Sequence, residues 1–324
     1  MDKISKTINK LRSQDLDDLV EQAWEIRNRN FPRVLNVSVP SAKTYITDHY
    51  QNKQNIFVNI SITGNICELN CEHCKRKLLQ SMIPAKTPLE LKEVGESLVE
   101  KGCHGVLVSG GAMSDGMVSL DNYIDSIRYL KEIGLQVIVH TGLVNQTIAS
   151  KLKEVGVDQV LIDIIGDKET IKDVYHLDKT PEDFEKSLRI LKGVGLEIAP
   201  HIVIGLNYGK ISGEYNALHL ISEVSPEVIV LVVISPMHGT PMHGLKTPSP
   251  DNIARIAAIA RIINPNTKVT SGCARPPGPQ KIETEKLLIK AGVNSMAYPT
   301  DEAVDYAHNL GLKTIFKEEC CSLL

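Results

Sequence analysis

The strongest constraint this chain places on its own fold is an alternation. From residue 55 onward, short runs rich in β-branched residues, at 56–62, 106–108, 137–139, 160–165, 198–204, 228–234, 269–271 and 295–298, are separated by stretches of helical periodicity. Several runs are apolar almost throughout, as a strand buried on both faces of a parallel sheet must be. The helical stretches announce their starts. Thr87-Pro88-Leu89-Glu90 and Thr180-Pro181-Glu182-Asp183 each place a capping Thr, a first-turn Pro and an acid three residues on, and Ser249-Pro250-Asp251 repeats this without the third-position acid. Their ends are alike too: glycines 102, 134, 156, 195, 292 and 311 each follow a helical pattern and shortly precede an apolar run. A left-handed C-cap that turns the chain back into a strand has this signature. Eight strands, nearly every one followed by a helix, predict an α/β fold, a (β/α)8 TIM-like barrel; an incomplete six-strand barrel with an appended C-terminal unit is the alternative.

Three segments are expected. Residues 1–50 read as a helical extension in which the segment 16–27 places Leu16, Leu19, Ala23 and Ile26 on one face, for packing against the barrel. Residues 51–312 form the barrel, and 313–324 form a tail that would fold over the barrel mouth to bring its cysteines to the chemistry. The first residues have neither the apolar run of a signal peptide nor the acid-poor composition of a transit peptide, and no stretch approaches the ~20 apolar residues of a membrane span. A soluble, cytoplasmic chain with no membrane partner is the expectation. A net charge of -3 argues against a nucleic-acid partner held by phosphate neutralisation, and one Trp and four Phe argue against base stacking.

The cysteines point to metal or redox chemistry. There are seven, too few and too unevenly placed for a disulfide scaffold. Cys67-Glu-Leu-Asn-Cys71-Glu-His-Cys74 follows the first strand of the alternation directly. Thiolates suit iron–sulfur clusters or zinc, and this spacing lets one short loop wrap one metal centre. Three protein ligands on a four-iron cube leave one iron open for substrate or cofactor, by the logic of open catalytic zinc sites. The loop after a barrel strand lies at the face where barrel enzymes keep their chemistry. Structural zinc with His73 as fourth ligand is the competing reading, although such sites more often use two separated ligand pairs.

At these residues the chain resembles the radical S-adenosylmethionine (SAM) superfamily, whose mark is a CxxxCxxC loop after the first strand of a (β/α) barrel. The resemblance spans roughly residues 55–300. It implies that Cys67, Cys71 and Cys74 hold a [4Fe–4S] cluster whose open iron chelates SAM. One-electron reduction, from a donor such as ferredoxin or flavodoxin, would then release a radical that abstracts hydrogen from an unactivated C–H bond. The family's glycine-rich second-strand motif appears as Ser109-Gly110-Gly111-Ala112, without its usual acid, and His73 stands where an aromatic residue is usual. Glycines there allow the backbone to approach the SAM amino group. Asp163 ends an otherwise apolar strand, where a carboxylate needs donors; a ribose diol and a structural partner such as His140 both remain open. His140 and His201, at the ends of neighbouring runs, are open between SAM or substrate contact and ordinary barrel packing. The segment 199–205 resembles the strand that contacts adenine, and 235–242 resembles a strand-to-loop segment of biotin synthase.

Of the remaining cysteines, Cys103 reads as packing. Cys273 follows the seventh strand in Gly-Cys-Ala-Arg275-Pro, and Cys320 and Cys321 lie near the C-terminus. Together with Arg275, which stands where biotin synthase carries a cluster-ligating Arg, they are the candidate ligands of an auxiliary iron–sulfur cluster; an exposed vicinal pair or a tail disulfide is the other reading. The combination resembles archaeal-type lipoyl synthases. This implies sulfur insertion into a protein-bound octanoyl chain, an octanoylated lipoyl-carrier protein as partner, and a second related radical SAM subunit. The alternatives are another radical SAM enzyme of cofactor biosynthesis (biotin synthase-like, a methylase or a ring-forming enzyme) or a non-catalytic iron–sulfur or zinc-binding partner.

Overall fold

The computed structural model describes residues 2–323. Two helices, α1 (Lys3–Arg12) and α2 (Leu16–Asn30), lead into β1 (Val34–Ser38). The alternation then runs β2 (Phe57–Ser61), β3 (Ile83–Pro84), α3 (Pro88–Glu100), β4 (Gly105–Ser109), α4 (Ile124–Glu132), β5 (Gln136–His140), α5 (Gln146–Val155), β6 (Gln159–Asp163), α6 (Lys168–Asp173), α7 (Pro181–Gly193) and β7 (Ile198–Ile204). It closes with α8 (Glu214–Val224), β8 (Val228–Val233), α9 (Pro250–Ile263), β9 (Lys268–Ser271), α10 (Pro279–Lys290), β10 (Ser295–Ala297), α11 (Asp301–Asn309) and β11 (Lys313–Lys317). The strands form one 11-stranded sheet in the order β11-β1-β10-β9-β8-β7-β6-β5-β4-β2-β3, and every pairing is parallel.

All eight expected strands are present, as β2 and β4 to β10. The local signals act as their physics requires. Thr87 accepts from Glu90 N at 3.1 Å, Thr180 and Asp183 form a capping box, and the six helix-ending glycines all have positive φ. The face of α2 that packs on α9 is centred on Leu19 and Ala23, with Leu16 and Ile26 at its margins.

Two boundaries differ from the sequence reading. The first 50 residues are not only helical, because β1 sits inside the sheet between β10 and β11. The tail is not only a tail, because β11 pairs with β1 along its whole length. The seam between this end of the sheet and β2 is bridged just beyond β1: Ser41 N donates to the Phe57 carbonyl at 3.1 Å and Ser41 Oγ accepts from Ile56 N at 2.8 Å.

The core has two parts. A large outer layer lies between strands and helices. A separate inner cluster contains Val37, Phe57, Ile138, Leu161, Ala199, Val230 and Ala297, one inward side chain from each of seven strands, as the two-residue period of a strand dictates. Cys321 belongs to this inner cluster. The expectation that the tail covers the mouth is therefore corrected. Ser322 and Leu323 line a recess with Gln136, Gln159, Glu197, Glu227 and Lys268, which stand at or just before the first residues of five strands. Gln159 Nε2 donates to the Ser322 carbonyl at 3.3 Å. The tail closes the end opposite the chemistry, because the inner apolar layer would otherwise open to water there.

Phe57→Ala removes an aromatic ring from that inner cluster, where Phe57 is 2% exposed. The expected cost is about 3–5 kcal/mol, read as a shift of the urea midpoint at unchanged slope.

Candidate active site

Immediately after β2 the chain must turn back over the sheet, and its backbone is pinned as it does so. Ser61 Oγ donates to the Gly64 carbonyl at 2.7 Å, and Tyr123 Oη donates to the Ile62 carbonyl at 3.0 Å. The glycine pair after β4 then meets the cysteine loop. A Cβ on Gly111 would lie 2.0 Å from the Ile66 carbonyl oxygen and 2.6 Å from Cys67 Cα, so only glycine permits this approach. Gly111 N donates to Thr63 Oγ1 at 2.7 Å, and Glu68 N donates to the Ala112 carbonyl at 2.9 Å. Asn70, Lys75 and Arg76 all adopt positive φ within the same short loop. Each costs about 1 kcal/mol or more, a strain the surrounding contacts sustain. Lys75 N donates to the Cys71 carbonyl at 2.9 Å, closing the wrap.

The three cysteines face one cleft, which is also lined by His73, Gly110, Gly111, His140, Asp163 and Tyr175. Burial pushes the Cys71 thiol up, and the neighbouring Cys74 and Cys67 sulfurs push it further. Cys74 is raised as well, first by burial. Three thiolates here would repel one another in a dry site, so the donor set fits a cationic metal centre. His73, between the second and third cysteines, stacks its ring on Tyr175 at 5.4 Å between centroids.

Across the cleft lies an ionic network. His140 Nε2 is 3.6 Å from Asp163 Oδ1, and Tyr175 Oη donates to Asp163 Oδ2 at 3.4 Å. Burial alone would raise the Asp163 carboxyl, but His140, with His201 and His73 behind it, brings it down to about 2. Burial alone would lower His140, yet Asp163 raises it above the usual histidine value. Asp163 therefore has a structural partner already, and its second oxygen faces the cleft beside Tyr175. His201 and His73 lack such a partner at close range, and burial lowers each to about 4. Of the SAM-contact residues the sequence suggests, His73, Gly110, Gly111, His140 and Asp163 share the cleft. Ser109 lies beneath it, its Oγ donating to the His140 carbonyl at 3.3 Å, and His201 packs edge-on against His140 at 6.1 Å. Tyr175, which follows α6, escaped the sequence reading because no motif surrounds it.

Cys273, Cys320 and Cys321 converge although 47 residues separate the first two. Cys273 is exposed, and Lys43 Nζ donates to its carbonyl at 3.0 Å. Its thiol is raised by burial and by Cys320, while nearby Lys43 opposes the rise. Cys320 is pulled down to about 7, first by its hydrogen bond with Cys321 and then by Ser322, and Cys321 is raised in consequence. Cys320 also contributes, after Asp163, to raising His140.

Arg275 is engaged within the protein. Its Nε donates to Glu285 Oε1 at 3.0 Å, and Nη1 donates to Ser271 Oγ at 2.9 Å and to the Gly272 carbonyl at 2.6 Å. Nη2 donates to the Ala297 carbonyl and, at 3.2 Å, to the Tyr298 carbonyl. All five guanidinium donors are used, and none is left over. Glu285 in turn accepts from Thr300 N and Oγ1 at 2.8 Å, so the pair ties β9, β10 and the start of α11 together.

The comparisons with known proteins agree with this geometry. A family model described as "Radical SAM superfamily" matches residues 61–212, and one described as "Biotin and Thiamin Synthesis associated domain" matches residues 231–310. The chain is similar to the radical SAM superfamily, on its biotin synthase-like side. Among curated relatives, the biotin synthase of Neorickettsia sennetsu is 24% identical over 291 residues, covering 87% of this chain and 82% of that protein. That of Francisella philomiragia is 23% identical over 307 residues, covering 90% and 88%. Among solved structures, methylornithine synthase (PylB) superposes with a TM-score of 0.64 at 18% identity, covering 96% of this chain and 94% of that one. HydG, a maturase of the [FeFe]-hydrogenase, gives 0.63 at 16%, covering 91% and 66%. These structural likenesses concern the fold alone. The likeness is to radical SAM enzymes, whose family uses a [4Fe–4S] cluster and SAM. No helix among the described residues is long and apolar enough to cross a membrane.

Two substitutions test the assignments. Gly111→Ala forces the cysteine loop away from its seat, and anaerobic reconstitution is expected to recover well under half the iron bound by the parent chain at a near-parental melting temperature. Arg275→Ala strands the fully buried Glu285 carboxylate, and a loss of about 3–5 kcal/mol in denaturant unfolding is expected.

Proposed function

We propose that this chain inserts sulfur at unactivated C–H positions of a largely aliphatic substrate. Cys67, Cys71 and Cys74 would hold the cluster that supplies the radical chemistry, and Cys273, Cys320 and Cys321 would hold an auxiliary cluster able to supply sulfur. The observation that carries the reading is the convergence of those last three cysteines, from two distant parts of the chain, on the interior that the cleft also faces. When bound, the cluster and SAM supply a deoxyadenosyl radical able to abstract hydrogen. The chain's own residues do the rest. The three thiols anchor one side of the cleft, and Gly110 and Gly111 let main chain come close to the SAM amino group. Asp163, kept ionised by His140, offers a carboxylate oxygen to a ribose diol. The inner apolar cluster below, sealed by the tail, excludes water from a reactive carbon.

The relatives named biotin synthase support a biotin synthase-like reaction. A second reading, that the substrate is an octanoyl chain on a lipoyl-carrier protein and that a related radical SAM subunit shares the work, is favoured by one feature. The Glu-Cys-Cys tail, on which the resemblance to two-component lipoyl synthases turns, is packed into the barrel rather than left free. Anaerobic incubation with SAM, reductant and either dethiobiotin or an octanoylated carrier peptide, with mass spectrometry of the products, decides between them.

Reconstituted protein is expected to hold about eight iron and eight sulfide per chain. Cys273→Ala and Cys320→Ala should each cut this to about half, retain deoxyadenosine formation and lose thiolated product. Thiolation at the parental rate in either variant would refute the auxiliary cluster. Alanine at any triplet cysteine should abolish both activities.

A further inference from the structure

We propose that the rim beside the cysteine loop, centred on Ile66 and Leu78 and flanked by Arg76, Lys77 and Lys86, is the docking surface for an acidic one-electron carrier protein. The inference rests on the radical reading above and adds the place where the electron enters. Ile66 immediately precedes the first ligand, Cys67, and Leu78 lies four residues past the third, Cys74. They are 67% and 54% exposed. A single apolar side chain in water carries no message. Ile66, however, cannot turn inward without breaking the contact of its carbonyl with Gly111, and its N–H is tied to the Thr63 carbonyl at 3.1 Å. The fold thus holds an aliphatic group outward one residue from a redox ligand.

The charges around it run against those of the chain as a whole, whose net charge is -3. Arg76 and Lys77 follow directly on Cys74-Lys75, and the Lys86 side chain lies along the turn at Gly64, two residues before Ile66. Lys75 is neutralised by Glu72 at 2.7 Å, whereas among the described residues no ion pair engages the side chains of Arg76, Lys77 or Lys86; the Glu90 carboxylate accepts from Lys86 N at 2.6 Å. Three cations, with Glu90 offsetting part of the charge at Lys86, around a small apolar centre complement an acidic protein surface and steer its approach. The step itself is simple. The reduced carrier gives up one electron and is oxidised by one, the cluster is reduced by one, and no atom or proton changes hands.

The test is the double variant Lys77→Glu/Lys86→Glu, assayed anaerobically for deoxyadenosine with two reductants. Reduced flavodoxin, a small acidic flavoprotein, must dock; dithionite need not. At low salt the flavodoxin-supported rate is expected to fall about ten-fold or more, and the parent's decline with added salt should disappear. The dithionite-supported rate and the iron content should stay within about two-fold of the parent, since small-molecule reduction needs no docking. Equal flavodoxin-supported rates in variant and parent would overturn the proposal. So would a parallel fall with both reductants, which would make these lysines supports of the cluster loop. So would an unchanged flavodoxin-supported rate together with lost thiolation of a carrier peptide under dithionite, which would make the rim a substrate-carrier seat. If the parent forms no deoxyadenosine even with dithionite, the radical reading itself fails, and the docking surface fails with it.

Discussion

Three sulfurs that would repel one another as anions must be held around one volume, and the fold gives up a side chain to do it. At Gly111 the backbone after β4 comes so close to Cys67 and Ile66 that no Cβ fits. That contact fixes where the loop leaves the barrel, and with it the direction in which Cys67, Cys71 and Cys74 face. Three left-handed non-glycine residues in the same loop are a second cost of the arrangement. Strain at such density persists only where its surroundings over-determine it. Here they do: Thr63, Ala112 and Ser61 each bond a different part of the turn.

The opposite wall answers the loop electrostatically. A carboxylate buried among apolar strands would ordinarily be protonated, but Asp163 and His140 keep each other charged. His140 also lies within reach of the field of Cys320. The inner cluster and the tail beneath leave the strand C-terminal end as the face at which reactants gather.

Most of the fold was legible because parallel barrel strands are apolar on both faces and helices carry caps, so both signals are local. β1 and β11 were not. The segment Val34–Ser38 is five residues long and alternates polar with apolar, and Lys313–Lys317 has lysines at both ends and lies at the sheet's edge. Neither resembles the two-sided apolar runs that marked the others. At the site, the triplet and the glycine pair were found by spacing alone. Tyr175 was not, since a lone tyrosine after a six-residue helix has no periodicity to reveal it. Arg275 was read as a ligand candidate beside Cys273, but its bonds to Glu285 and the Ala297 carbonyl were not legible, because those partners are invisible to any local window.

By itself, the sequence determined what depends on near neighbours: eight strands with their helices, and the loop with ligand spacing for one metal centre. Only the tertiary structure decided what depends on distant residues meeting. It set Cys273 against Cys320 and Cys321, paired His140 with Asp163, committed Arg275 to Glu285, and sent the tail under the barrel instead of over it. The physical reason is that periodicity and capping act within a turn or two of chain. The direction of a tail and the partner of a buried charge are set instead by which apolar layer must be closed and which donors remain free once the sheet has formed.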